Sequence, residues 1–147
     1  MVHFYDKGLC FACRGCHYCC STEPGFVFLN QGDVDAACAY LKLDEASFIA
    51  SYCRKVPQGE GWYKISLIEK KNFDCIFLTK EGCGIYPARP LQCRTYPFWP
   101  SIMENQHSWE EETRYCPGVG KGTLRSGEEI RHLLKLQEEN VPLLKRC

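Results

Sequence analysis

Apolar residues recur along this chain in short stretches whose spacing changes from one stretch to the next. Val34, Ala37, Cys38 and Leu41 fall at i, i+3, i+4 and i+7, the period of one helix face. A helix is therefore predicted over 31–41, with Asn30 as its N-cap. Asp44 caps a second predicted helix reaching about residue 52, with Phe48, Ile49 and Tyr52 turned inward and Cys38 and Cys53 belonging to the pair. Ser126 and Glu129 have the capping-box spacing. With the stripe Ile130, Leu133 and Leu134 they predict a C-terminal helix over 126–140.

Strand signals are weaker. Phe26, Val27, Phe28 and Leu29 read as a short strand, 57–61 as a loop, and 63–68 as a strand whose hairpin partner is 73–78, across the polar turn at Lys70, Lys71 and Asn72. Residues 83–100 are dense in Pro, aromatic residues and Arg. They predict irregular backbone that wraps something, with one helical turn near 91–94. Residues 108–115 read as a polar edge strand ending at Cys116, Pro117 and Gly118, followed by a Gly-rich loop through Gly122. The sum is a small, irregular α+β fold with a short sheet and about three helices, one domain over 1–147 with its core in 10–120.

Composition changes this picture in one respect. The chain has 147 residues and 12 cysteines, roughly 8%, the level at which composition signals a special scaffold. Eight Phe, eight Tyr and three Trp suffice for a modest core, so disorder is not expected. Lys plus Arg equals Asp plus Glu at 18 each, which leaves no bulk positive charge for nucleic acid or an anionic membrane. No apolar stretch approaches a bilayer span and the first 20 residues lack a secretory apolar region, so a cytoplasmic protein is expected, with an unidentified protein partner, no nucleic acid and no membrane. In a reducing cytosol, clustered thiols bind metal or do redox chemistry more often than they form structural disulfides.

Cys13, Cys16 and Cys19 make a C-x-x-C-x-x-C run, and Cys20 follows at once. Two intervening residues let a turn aim two sulfurs at one ion. Adjacent Cys19 and Cys20 cannot easily project to one point, so they serve different ions or different edges of one cluster, or one of the pair is a spectator. Cys75, Cys83, Cys93 and Cys116 lie outside the helical stripes, beside Gly or Pro or at strand ends, and are candidate ligands; the plainer reading of each is a small buried hydrophobe. For Cys38 and Cys53 that plainer reading is preferred, because they fall on apolar helix faces or ends. Cys10 keeps the two-residue spacing to Cys13 and is either a further ligand or, like Cys147, an exposed thiol near a terminus. His17, within the first run, is a further candidate ligand. Arg89 and Arg94 flank Cys93 and could donate to thiolates or pair with surface carboxylates, and Tyr86, Tyr96, Phe98 and Trp99 are expected to wall the metal off from water.

The ordered set FACRGCHYCC (11–20), CIFL (75–78), CGIY (83–86) with Arg89-Pro90, and CRTYPF (93–98) resembles the YkgJ-like cysteine-cluster family, a zinc- or iron-chelating domain with a CxxCxxCC run. The resemblance spans roughly 11–118. It implies metal chelation by Cys13, Cys16, Cys19, Cys20, Cys75, Cys83, Cys93 and Cys116. Eight thiolates carry a formal charge of about minus eight, which calls for more than one multivalent cation.

Thiolates suit zinc and iron alike, and the set could hold two four-thiolate zinc sites or an iron-sulfur cluster. Three functions follow: a metal-binding module, an iron-dependent or iron-sulfur redox or modifying enzyme, and a metal storage or transfer protein. No H-E-x-x-H, P-loop or G-x-G-x-x-G motif supports a metal-independent enzyme.

Overall fold

The computed structural model describes residues 2–13 and 25–146. Cys16, Cys19, Cys20, Cys147 and His17 lie outside the described residues. In chain order these form β1 (Leu9–Phe11), α1 (Gln31–Leu41), α2 (Glu45–Tyr52), β2 (Cys53–Gly59), β3 (Trp62–Leu67), β4 (Leu78–Thr79), β5 (Gly82–Cys83), α3 (Leu91–Thr95), α4 (Gln106–Glu111), β6 (Val119–Arg125), α5 (Gly127–Glu139) and β7 (Leu144–Arg146). The architecture is mixed α+β, with small antiparallel sheets ordered β1-β6, β2-β3-β7 and β4-β5. Among the described residues no helix is long and apolar enough to cross a membrane. The chain groups into two compact units; among the described residues one takes 2–13 with 95–139 and the other 25–94 with 140–146.

The second unit is built on the paired helices and the three-stranded sheet. Asn30 Oδ1 accepts from the Asp33 N–H and Asp33 returns a bond to the Asn30 N–H, the reciprocal cap that starts α1 where the sequence places it. Asp44 accepts from the Ser47 N–H and starts α2. Val34, Ala37 and Phe48 from these helices meet Cys53, Ile65 and Leu67 from the sheet in one apolar cluster, and Tyr52 stacks on Phe77 with ring centroids 4.8 Å apart.

The strand pairing differs from the predicted hairpin. The partners of β3 are β2, which covers most of the stretch expected as a loop, and β7. Residues 73–78 cannot continue a ladder, because the Asp74 N–H bonds back to Asn72 Oδ1 and Phe73 takes a positive φ of 68°. Only Cys75 bridges back, to Glu69. The stretch predicted as a strand at 26–29 is reduced to a bridge between Phe28 and Ser66.

The first unit packs Tyr5, Phe11, Phe98, Ile102, Met103, Trp109, Val119 and Ile130 together. Its main departure from expectation is at 108–115, which is helical and not a strand. Asn105 Oδ1 accepts from the Ser108 N–H (2.9 Å) to cap α4, and a 3-10 turn over Glu112–Arg114 follows. Trp109 alone anchors this short helix inward, so it has no apolar stripe for periodicity to detect. The predicted Gly-rich loop is strand β6. Helix α5 starts as read, with Ser126 Oγ accepting from the Glu129 N–H (3.0 Å).

Candidate metal centre

In the first unit the start of the cysteine run is held against the turn that carries Cys116. The Cys116 N–H donates to the Glu112 carbonyl (2.9 Å), and the Val119 N–H donates to the Cys116 carbonyl (3.2 Å), so Cys116 sits buried in a tight turn leading into β6. Beside that turn, the Ala12 N–H donates to the Gly118 carbonyl (3.3 Å). The two backbones approach so closely that a Cβ on Gly118 would lie 2.0 Å from the Ala12 carbonyl oxygen, and one on Gly122, itself at φ 81°, 2.3 Å from the Ala12 Cβ. Only glycine fits at either place. Cys13, exposed, is the next residue after Ala12. Cys10 is half-buried in β1, opposite Leu124.

In the second unit Cys75 and Cys83 belong to a small hairpin. The Leu78 N–H donates to the Cys75 carbonyl (2.9 Å), Leu78 pairs with Cys83 across β4 and β5, and the Gly84 N–H donates to the Phe77 carbonyl (2.7 Å). Cys93 lies in the first turn of α3, its N–H on the Pro90 carbonyl (2.9 Å). Asp33, buried on α1, accepts from the Leu91 N–H (2.9 Å) and so ties the start of α3 to α1. Burial raises its carboxyl above the usual range, against hydrogen bonds from Asn30 and Leu91 and the charge of Arg94. Cys75, Cys83 and Cys93 are each half-buried. Among the described residues no three Cys, His, Asp or Glu side chains converge on one point. Five of the predicted ligands, Cys13, Cys75, Cys83, Cys93 and Cys116, are placed in turns, at strand ends or in a helix's first turn.

Cys53 lies in the apolar cluster of the second unit, and Cys38 packs against it, as do Cys75 and Cys83; Cys116 belongs to the buried core of the first unit. Burial, with the nearby Cys38 thiol, pushes the Cys53 thiol up to about 12. Burial first, then the carboxylates of Glu45, Asp35 and Asp44, raises Cys38 as well. Thiols that resist ionisation are poor ligands and behave as small apolar side chains.

The groups expected around the metal are partly engaged elsewhere. Arg89 donates from Nε to the Tyr86 carbonyl (3.0 Å) and lays its guanidinium 3.7 Å from the Tyr86 ring centroid. Arg94 donates from Nε to the Arg89 carbonyl (3.1 Å). Tyr86 is exposed and is no dry wall, whereas Phe98 is buried and Tyr96 and Trp99 pack against the core of the first unit. Sequence reasoning missed Gly118, Gly122 and Asp33 as positioning residues. The signal for the glycines was present, since Gly118, Gly120 and Gly122 alternate with the period of a strand.

The cysteine pattern matches the family model CxxCxxCC, described as "Putative zinc- or iron-chelating domain", over residues 12–117. The uncharacterized protein MJ0939 of Methanocaldococcus jannaschii is 28% identical over 138 residues, which covers 90% of this chain and 45% of that protein. The uncharacterized protein MJ0661 of the same organism is 27% identical over 123 residues, 80% of this chain and 63% of its own length. The chain therefore spans less than two thirds of either relative. No solved structure matches.

Proposed function

The chain belongs to the CxxCxxCC family of zinc- or iron-chelating domains, and from that premise we propose that it binds zinc or iron through the thiolates of Cys13, Cys16, Cys19, Cys20, Cys75, Cys83, Cys93 and Cys116. The observation that carries this reading is that the family match, residues 12–117, encloses all eight. The donor chemistry supports it. Cys75, Cys83 and Cys116 sit at hairpins and turns, where neighbouring backbone N–H groups are able to face a sulfur, while burial raises the thiols of Cys38 and Cys53, two of the cysteines outside the set.

Zinc would serve as a structural ion closed by four thiolates. Iron would serve in the same ligands as an iron-sulfur cluster, with redox chemistry then open to the protein. The setting that goes with this reading is a reducing cytoplasm, where clustered thiols stay available to metal.

The deciding experiment is anaerobic purification followed by metal, acid-labile sulfide and visible-spectrum measurements on one sample. Two or more zinc ions per chain in a colourless sample, or iron with sulfide in a brown one, is the expected result. Less than one metal ion per chain in a folded, fully reduced sample overturns the proposal.

A further inference from the structure

Strand alternation gives the β2-β3-β7 sheet two sides. Cys53, Ile65 and Leu67 point to the apolar cluster. The other side therefore carries Arg54 opposite Ser66, Lys64 opposite Leu144, and Trp62 opposite Arg146. Phe28 bridges to Ser66, and Phe26 stacks on Phe28 with ring centroids 5.1 Å apart, extending the same surface. Each cation lies over a ring: Arg54 is 4.7 Å from the Phe26 centroid, Lys64 5.2 Å from Phe28 and Arg146 5.3 Å from Trp62. Phe26 is 48% exposed, Leu144 48% and Trp62 37%. The carboxylates nearest along the chain are Glu69, 3.6 Å from Arg54, and Glu60 in the β2–β3 turn.

The core of this unit gathers on the other side of the sheet, so these rings are not needed to build it. Aromatic and Arg side chains, depleted of carboxylates, compose the centre of a protein-docking surface. Single-stranded nucleic acid would use rings and cations too. Here Leu144 adds aliphatic area that a base stack does not use, and with Arg54 engaged by Glu69 and by the Gly25 carbonyl (2.6 Å), two of the three cations remain, too few for a phosphate backbone. We propose that this side of the sheet docks an acidic segment of a partner protein. Its carboxylates would pair with Lys64 and Arg146, and its apolar side chains would pack on Phe26, Trp62 and Leu144.

The proposal stands apart from the metal reading and is tested on the full metal-loaded chain. The probe is a random copolymer of glutamate and tyrosine, followed by amide chemical shifts on labelled protein. Shifts centred on β3, β7 and Phe26 are expected, with affinity falling as salt rises. The double variant K64E/R146E, folded by circular dichroism, is expected to bind at least tenfold more weakly, and polyglutamate without tyrosine less tightly than the copolymer. Shifts confined to other surfaces, charge reversal without effect, or tighter binding of oligothymidylate than of the copolymer overturns it.

Discussion

A cysteine becomes a ligand by losing a proton, and its surroundings set how hard that is. At Cys53 burial holds the proton on up to about 12, against an ordinary thiol value near 9. Below pH 9 both the folded and the unfolded chain keep this proton, and the thiol's contribution to stability is fully present. From about pH 9 to 12 the unfolded chain releases a proton that the folded chain retains, so stability falls as pH rises, by at most about 1.4 kcal/mol per pH unit. Cys53→Ala removes that dependence along with a small buried side chain. The variant is expected to be about 1 kcal/mol less stable than the parent at pH 8, and because the parent loses about 2 kcal/mol between pH 9 and 10.5, the deficit in urea unfolding should vanish and reverse by pH 10.5. A deficit that stays constant would mean that Cys53 ionises normally. Metal content should not change in this variant, whereas Cys116→Ala should lose metal.

The same environment argument scales up to elements, where two backbone approaches place Cys13, a candidate ligand, beside the Cys116 turn. Gly118→Ala places a methyl group against the Ala12 carbonyl, so β1 and β6 must part and Cys13 must move from beside the Cys116 turn. The expected cost is about 1–3 kcal/mol, with a fall in bound metal per chain. Gly120→Ala is the control. That residue also has a positive φ of 81° but nothing within 4 Å, so it should lose about 1 kcal/mol of stability and keep its metal. Equal metal content in the two variants would sink the positioning role. Asp33→Ala should cost about 2 kcal/mol in thermal or urea unfolding, since it removes the carboxylate that accepts from the Asn30 N–H, the reciprocal half of the cap, and from the Leu91 N–H at the start of α3; a loss below 0.5 kcal/mol would show that α3 is held by other means.

These elements also show what sequence pattern can reveal. Helices α1, α2 and α5 were legible because caps and apolar stripes agree. Helix α4 was not, since one Trp gives no period, and the β2–β3 pairing was hidden because Pro57 and the glycines that flank Glu60 read as loop. For the site, spacing names Cys13, Cys16 and Cys19 as candidate ligands, and the family resemblance extends the set to eight. The close approach of Ala12 to Gly118 was not legible, because two backbones meeting across more than a hundred residues leave no local signal.

At the scale of the molecule the question is whether the apolar cores or the metal hold the chain together. Each compact unit has a core of its own, around Phe48 and Ile65 in one and Phe98 and Trp109 in the other, and each contains fewer than about 80 described residues. At that size a hydrophobic core supplies roughly 3–5 kcal/mol. Closing one structural zinc site contributes roughly 10–16 kcal/mol at neutral pH, so the metal term outweighs either core. Chelation should therefore unfold the protein, abolishing near-UV circular dichroism, and restoring zinc, or ferrous iron together with sulfide, under reducing conditions should bring it back. Protons compete with metal for thiolates, so the chelator concentration needed should fall as pH is lowered from 8 to 6. If the near-UV signal and the thermal midpoint survive complete metal removal, the cores suffice by themselves. The metal would then be cargo or a reaction centre and not the agent that folds the chain.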